Sequence, residues 1–200
     1  MTFFAIASPN RVTARPSVSR RGFSAIELLI VCAIVGIFAT LAYPRVNFTQ
    51  FQVDSGARTV RVALQNAERL AVTRQYDVVV SFDVANKRMR ILEDGNDNDA
   101  VDNGERVTYS PLEDGVHFKQ PPAGLSGPVS GAIVGSNIKT IDGMPSVIFR
   151  RDGAASTDLE VYLASSKELA NDWRAIQVVQ STGRTDWFRY LGSLWKAGSI

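Results

Sequence analysis

The hydrophobic pattern of the chain changes period as it runs. From Phe23 to Ala42 nearly every position is apolar. That run is about twenty residues, the length of a membrane-spanning helix at 1.5 Å rise per residue. Pro44 closes it. A proline removes one helical hydrogen bond and kinks the helix, but the pattern resumes beyond it. Val53, Ala57, Val60, Leu64, Ala67 and Ala71 alternate steps of four and three, which makes one apolar stripe. Asp54 and Arg58 stand beside it as an acid-first i,i+4 pair. The spacing predicts one long helix over about 23–75, its first half in lipid and its second half packed against the strands downstream.

From Tyr76 the period becomes two. Val78, Val80 and Phe82 alternate with Val79 and Ser81, then Val84-Ala85-Asn86-Lys87 reads as a turn, and Met89 and Ile91 alternate with Arg88 and Arg90. This is a hairpin signature. Further strands are predicted at 106–110, 116–119, 146–150, 159–163, 175–180 and 185–190. Between about 120 and 145 lies a stretch rich in Pro, Gly and Ser, read as a long loop broken by a short strand.

Just ahead of the apolar run stand Arg20-Arg21-Gly22-Phe23-Ser24-Ala25-Ile26-Glu27. A carboxylate inside an apolar span is costly, so Glu27 is a functional candidate whose partner must be named. The residues alone leave three readings open. Arg20 and Arg21 could open a secretory signal that ends at Thr40-Leu41-Ala42, the run could be a plain single-pass anchor, or Gly22-Phe23 could be a processing junction.

Gly22-Phe23, with Glu27 four residues on and Leu28-Leu29-Ile30-Val31 after it, resembles the class III signal of type IV pilins and type II secretion pseudopilins. The resemblance implies that prepilin peptidase cuts between Gly22 and Phe23 and that Phe23 becomes the N-methylated first residue. It implies that Glu27 meets the terminal amine of a neighbouring subunit and sets the register of stacked helices; a buried carboxylate is tolerable when so paired. The later segments Val147-Ile148-Phe149-Arg150-Arg151-Asp152-Gly153 and Val178-Val179-Gln180-Ser181-Thr182-Gly183-Arg184 resemble the GspH/FimT branch. That branch implies an α+β, pilin-like fold with a long N-terminal helix packed on an antiparallel β-sheet or β-sandwich. The expected organisation is a leader at 1–22, a membrane and filament-core helix at 23–43, its amphipathic second half at 44–75, and a β-rich periplasmic domain at 76–200.

Charge adds orientation. The chain has 22 Lys and Arg against 20 Asp and Glu. Arg11, Arg15, Arg20 and Arg21 all lie in the leader, which has no acid. The positive-inside rule then places the N-terminus in the cytoplasm and the C-terminal domain across the inner membrane. Without the leader the remainder is slightly acidic, so no global charge case for nucleic-acid binding exists. The single cysteine, Cys32, lies in the apolar run, which rules out an intramolecular disulfide. His117 is the only histidine and reads as a half-buried strand residue in preference to a ligand or base. No catalytic triad, CxxC pair or phosphate-binding glycine loop appears, and the chain is read as a non-enzyme that requires no cofactor.

Two candidate binding sites remain. Asp94, Asn96, Asn98, Asp102 and Glu105, with the Ala100 carbonyl, occupy the oxygen positions of a calcium loop, except that Asp99 stands where the turn glycine belongs. The alternative is a solvated acidic turn between two strands. Arg184 and Arg189 lie near Trp187, Phe188, Tyr190 and Trp195. Basic residues among aromatics can hold single-stranded nucleic acid, or they can be strand core with solvated arginines between. DNA-binding FimT proteins carry a late Gly-Arg-x-Arg motif; here Gly183-Arg184-Thr185 is followed by Asp186, an acid that would repel phosphate. The expected function is a minor pseudopilin of a type II secretion system in a short periplasmic pseudopilus, with a FimT-like type IV minor pilin acting in pilus assembly or DNA uptake as the alternative. The partners implied are other pseudopilins or pilins, prepilin peptidase and the inner-membrane assembly platform.

Overall fold

The computed structural model describes residues 22–42, 48–122, 125 and 138–198. Its two compact units are Met1–Val46 and Asn47–Ile200. The first contains helix α1 (Ala25–Ala42) and the second opens with helix α2 (Phe48–Arg74). The expected continuity of one helix through Pro44 falls on residues 43–47, outside the described residues.

Every described side chain from Gly22 to Thr40 is exposed. A helix of 18 residues rises about 27 Å at 1.5 Å per residue, short of a hydrocarbon core of about 30 Å. Among the described residues no helix is long and apolar enough to cross a membrane. The expected span reaches Tyr43, beyond those residues.

The stripe expected on α2 is the buried one. Val53, Ala57, Val60, Leu64, Ala67 and Ala71 are all buried, joined by Gly56 and Ala63. The helix ends at Arg74, and Gln75 just past it takes the left-handed conformation (φ 62°) normally given to glycine, while its N–H bonds the Ala71 carbonyl at 2.9 Å.

Two antiparallel five-stranded sheets complete the unit. The first comprises β1 (Asp77–Asp83), β2 (Arg88–Asp94), β3 (Arg106–Pro111), β5 (Lys139–Ile141) and β6 (Met144–Phe149), in the order β3-β2-β1-β6-β5. The second comprises β4 (Val116–Phe118), β7 (Leu159–Ser165), β8 (Arg174–Val178), β9 (Thr185–Tyr190) and β10 (Trp195–Ala197), in the order β10-β9-β8-β7-β4. Helix α2 packs on strands of both, which gives the α+β class and the two-sheet domain expected from the pattern.

The β1–β2 hairpin forms in the expected register, with Val80 opposite Ile91 and Phe82 opposite Met89. Its turn is held by Asp83, which accepts the Asn86 N–H at 3.1 Å, the Asn86 side-chain amide at 2.8 Å and Arg88 Nε at 2.9 Å. The short strand in the Pro/Gly stretch is β5, joined to β6 by Asp142 and Gly143, both with positive φ (50° and 76°). That two-residue turn is a standard hairpin signal. Strand β10 had no counterpart among the expected strands.

Packing adds to the expected pattern. Both faces of β1 are buried. Val78, Val80 and Phe82 join the main core with α2, whereas Val79 on the opposite face clusters with Leu92, Ile141 and Ile148. The Asp54–Arg58 pair is also replaced. Asp54 bonds Arg174 Nε of β8 at 2.5 Å and also pairs with Arg189 of β9. The Arg174 side chain is fully buried, so its charge requires the carboxylate.

Near the other end of α2, two glycine turns meet. Gly153 (φ 87°) lies just past β6 and Gly183 (φ 63°) links β8 to β9. A Cβ on Gly183 would overlap the Gly153 carbonyl oxygen and press on Glu68 of α2. Only glycine fits there, both for φ and for space.

The ion pair makes a direct prediction. Asp54→Ala strands a buried guanidinium and should lower stability by about 3–5 kcal/mol. Arg58→Ala should change it by less than about 0.5 kcal/mol. Denaturant unfolding of the two variants measures both; equal losses would restore the i,i+4 pair.

Candidate functional site

At the N-terminal end, Gly22 and Phe23 precede α1 and both are exposed. Ser24 caps the helix: its Oγ accepts the Glu27 N–H at 3.2 Å, and its carbonyl accepts the Leu28 N–H at 3.2 Å. The signal is present in the sequence as Ser-x-x-Glu, the capping-box spacing, but the apolar run conceals it. Helix α1 therefore begins two residues later than expected, and Phe23 stands just outside it. Glu27 lies in the first turn, where a carboxylate also meets the positive end of the helix dipole. Arg20 and Arg21 lie outside the described residues.

The acidic loop between β2 and β3 does gather its oxygen-bearing side chains. Asp94, fully buried, accepts the N–H groups of Asn98 at 3.2 Å and Asp99 at 2.7 Å. Asp102 accepts the side-chain amides of Asn96 at 2.8 Å and Asn98 at 2.6 Å. Those amides hold the Asp102 carboxyl below the usual carboxylate range. Glu105 accepts the Gly95 and Asp102 N–H groups, both at 3.1 Å. Ala100 donates its N–H to Asn98 Oδ1 at 2.8 Å. Asp99 has φ 61°, so it adopts the left-handed turn for which a calcium loop uses glycine.

The loop is pinned from outside as well. Asp97 pairs with Arg151 and Asp99 with Lys139. Asp97 also sits against Asp77, whose carboxyl is pushed up by burial and then by the Asp97 charge. Among the described residues no group of three or more His, Cys, Asp or Glu is placed to hold a metal ion. Most of the side-chain oxygens that a calcium ion would use already accept from the loop's own donors.

The two arginines singled out for DNA contact are not brought together. Arg184 bonds Asp186, with Nε at 2.8 Å and a second nitrogen at 2.6 Å. Arg189 points toward α2 and Asp54. Each faces a carboxylate, but only Arg184 has one to itself, since Asp54 is shared between Arg189 and the buried Arg174. The aromatics are committed too: Trp187 is buried, and the Trp195 ring packs against Tyr190 and Tyr162 at centroid separations of 5.2 and 5.9 Å. His117 lies in β4 opposite Ala164. Burial, then the charges of Lys87 and Lys119, lowers its pKa.

No family model matches the chain, and no curated protein does. Among solved structures it is similar to the minor pseudopilin EpsH from the type 2 secretion system of Vibrio cholerae, at 14% identity and TM-score 0.44, over 73% of this chain and 97% of that one. It is also similar to the type IV minor pilin FimU of Pseudomonas aeruginosa, at 13% identity and TM-score 0.44, over 72% of this chain and 92% of that one.

This geometry makes two outcomes testable. A loop closed by its own hydrogen bonds and by Arg151 and Lys139 should hold its shape without metal. The chain should then melt at the same temperature in millimolar calcium and in chelator; a rise in calcium that Asp94→Ala abolishes would make the loop a metal site. In gel shifts at physiological salt, Arg184→Ala should leave single-stranded DNA retention unchanged. A loss on that substitution would show that Arg184 abandons Asp186 for phosphate.

Proposed function

We propose that this chain is an assembly subunit of a type IV pilin-like filament, and specifically a minor pseudopilin of a type II secretion system. The observation that carries the reading is α1. It is apolar on every face apart from Glu27, and its described side chains are all exposed. A helix apolar all round needs cover on all sides, which a bilayer or a bundle of like helices supplies. The same helix serves as inner-membrane anchor before assembly and as filament core afterwards.

In this reading prepilin peptidase cuts between Gly22 and Phe23, and Phe23 is methylated. The new amine on one subunit meets Glu27 on another, which neutralises both charges away from water. The domain carrying α2 and the two sheets projects into the periplasm. Its partners are other pseudopilins and the inner-membrane assembly platform, and its role is structural, with no catalysis. A FimT-like pilus subunit shares the anchor and the cleavage site. The secretion reading is favoured because Arg184 and Arg189 are held by Asp186 and Asp54.

N-terminal sequencing of the protein from cells with active prepilin peptidase should begin at N-methyl-Phe23. A start at Tyr43, or an intact leader, would sink the reading. Glu27→Ala should leave membrane insertion unchanged while filament incorporation falls sharply; normal incorporation would remove Glu27 from the assembly contact.

A further inference from the structure

We infer that the end of the folded domain at which α2 begins lies on the surface of an anionic lipid bilayer. This contact deepens the anchor of the assembly reading and rests on it. Two contacts show which way β9 runs beside α2. Gly183, just before β9, abuts Glu68 in the second half of the helix, and Arg189, near the end of β9, pairs with Asp54 in the first half. The strand therefore runs toward the start of the helix, and the β9–β10 turn at 191–194 lies there. The β7–β8 connection at 166–173 shares that end. It leads into Arg174, the other partner of Asp54, and Gly115 lies beside both its Ser166 and Gln52 of α2.

Phe48 and Phe51 in the first turn of α2, Leu169 in the β7–β8 connection, and Leu191 and Leu194 in the β9–β10 turn form a rim at this end. Among the described residues they are the exposed phenylalanines and leucines of the second unit. A domain that buries its own core seldom leaves such side chains together in water unless something covers them. Chain length says what does. Six residue steps join Ala42, the end of α1, to Phe48, and fully extended they reach about 20 Å. With α1 in the bilayer, every copy of the chain holds this end at the membrane surface, whatever else is bound.

Cations stand behind the rim. Leu191 also lines a hollow of about 200 Å³ with Arg58, Arg189 and Lys196. A helical side chain leans toward the start of its helix, so Arg58 reaches toward the rim. Arg58 and Lys196 have no ion pair among the described residues. Arg189 shares Asp54 with the buried Arg174, and its Nε is shielded from water without an acceptor. The other acids of this end sit by β4 and β7, toward the opposite edge of the sheet from β9 and β10. Glu113 bonds Ser55, Glu168 pairs with Lys119, Asp172 is buried against Ser165, and Asp114 follows Glu113 in the chain. Apolar side chains backed by Lys and Arg are the layout of a surface that lies in the bilayer interface, where the cations meet anionic headgroups. Nucleic acid would use the cations but leave the five apolar side chains in water.

The test uses the full chain at one copy per nanodisc, in phosphatidylcholine alone or mixed with phosphatidylglycerol, with brominated acyl chains as quencher. In a Cys32→Ser background, a bimane on Leu194→Cys should lose most of its emission, and lose more when phosphatidylglycerol is present. A bimane on Val101→Cys, in the β2–β3 loop that closes on Asp77 past the other end of α2, should keep its emission. Arg58→Glu/Lys196→Glu should cut the loss at Leu194 in the mixed lipid to that in phosphatidylcholine, and Phe48→Ser/Phe51→Ser should cut it in both. Inorganic phosphate should relieve the quenching no more than chloride of equal ionic strength. No quenching at Leu194, equal quenching at Leu194 and Val101, or indifference to both lipid charge and the Arg58/Lys196 reversal overturns the inference. So does quenching relieved by an oligothymidine, which would make this a nucleic-acid site. Protection of Leu194 from an aqueous quencher only in discs that hold two copies overturns it too, and would make the rim a subunit contact. A bimane on Cys32 of the native chain reports the anchor. If Cys32 is quenched and Leu194 is not, this inference alone falls; if Cys32 is not quenched, the anchor and the assembly reading fall with it.

Discussion

The second unit depends on one helix fitting between two sheets. The buried stripe of α2 is made largely of alanine and glycine, with Val53, Val60 and Leu64 as its larger members. Small residues leave room for both sheets to approach, and a Cβ at Gly56 would already sit 3.0 Å from a methyl of Val116 on β4. Bulk is then supplied by the sheets, through Phe82, Met89, Phe149, Tyr162 and Leu163. Close-packed interiors tolerate neither gaps nor crowding, so volume missing from the helix must reappear on the strands. The helix is also located at two points along its axis. Asp54 anchors it to β8 and β9 through Arg174 and Arg189, and the Gly153–Gly183 contact abuts it at Glu68 and Val72.

The Asp54 cluster is an expensive way to fix a helix. A fully buried arginine loses hydration that one carboxylate replaces only in part. Burial indeed pulls the Arg174 pKa down, and the bond to Asp54 acts in the opposite direction. Two backbone carbonyls, of Asn171 and Trp173, accept from its Nη1 at 2.8 Å each, while its Nη2 is buried with no acceptor among the described residues. An apolar pair of equal volume would hold as well, but it would tolerate sliding by a turn. A charge that finds its acceptor in one position only does not, and the contribution of this cluster is to the register between helix and sheet.

Legibility of the sequence tracked the range of the interaction. Periods of three and four, and of two, depend on neighbours a few residues away, so the α2 stripe and the β1–β2 hairpin could be read directly. The cost of that locality shows at Asp54. Its nearest cation in sequence is Arg58, but its partners lie 120 and 135 residues away. Strand β10 escaped because three residues give no period to read. The double burial of β1 was not legible because alternation alone does not show whether a second face is covered, and only the tertiary fold places Ile141 and Ile148 beside Val79. At the candidate sites the sequence supplied the right residues but not their states. It put Asp186 beside Arg184, which the structure turns into an ion pair. It aligned the acidic loop with a calcium pattern, yet could not say whether those oxygens would face an ion or the loop's own amides.

The two compact units have different requirements for burial, and this bears on how stability and assembly relate. The second unit buries its apolar residues within itself, from Val53 on α2 to Trp187 on β9. The first offers no such cover, since α1 exposes apolar residues on all sides. Substitutions in the sheets or at Asp54 therefore act on the folding of the domain, where hydrophobic burial and ion pairing are decided inside one chain. On the proposed assembly reading, substitutions along α1 would act on the lipid or neighbouring helices around it and leave the domain core untouched. On the same reading, Glu27 is the position where the two environments make opposite demands. In lipid its carboxylate would be a liability, eased by lying in the first turn near the interface. Among like helices it would become an asset once an ammonium neutralised it. A single carboxylate on an otherwise apolar helix would then bias that helix from bilayer to bundle without any change in the folded domain it carries.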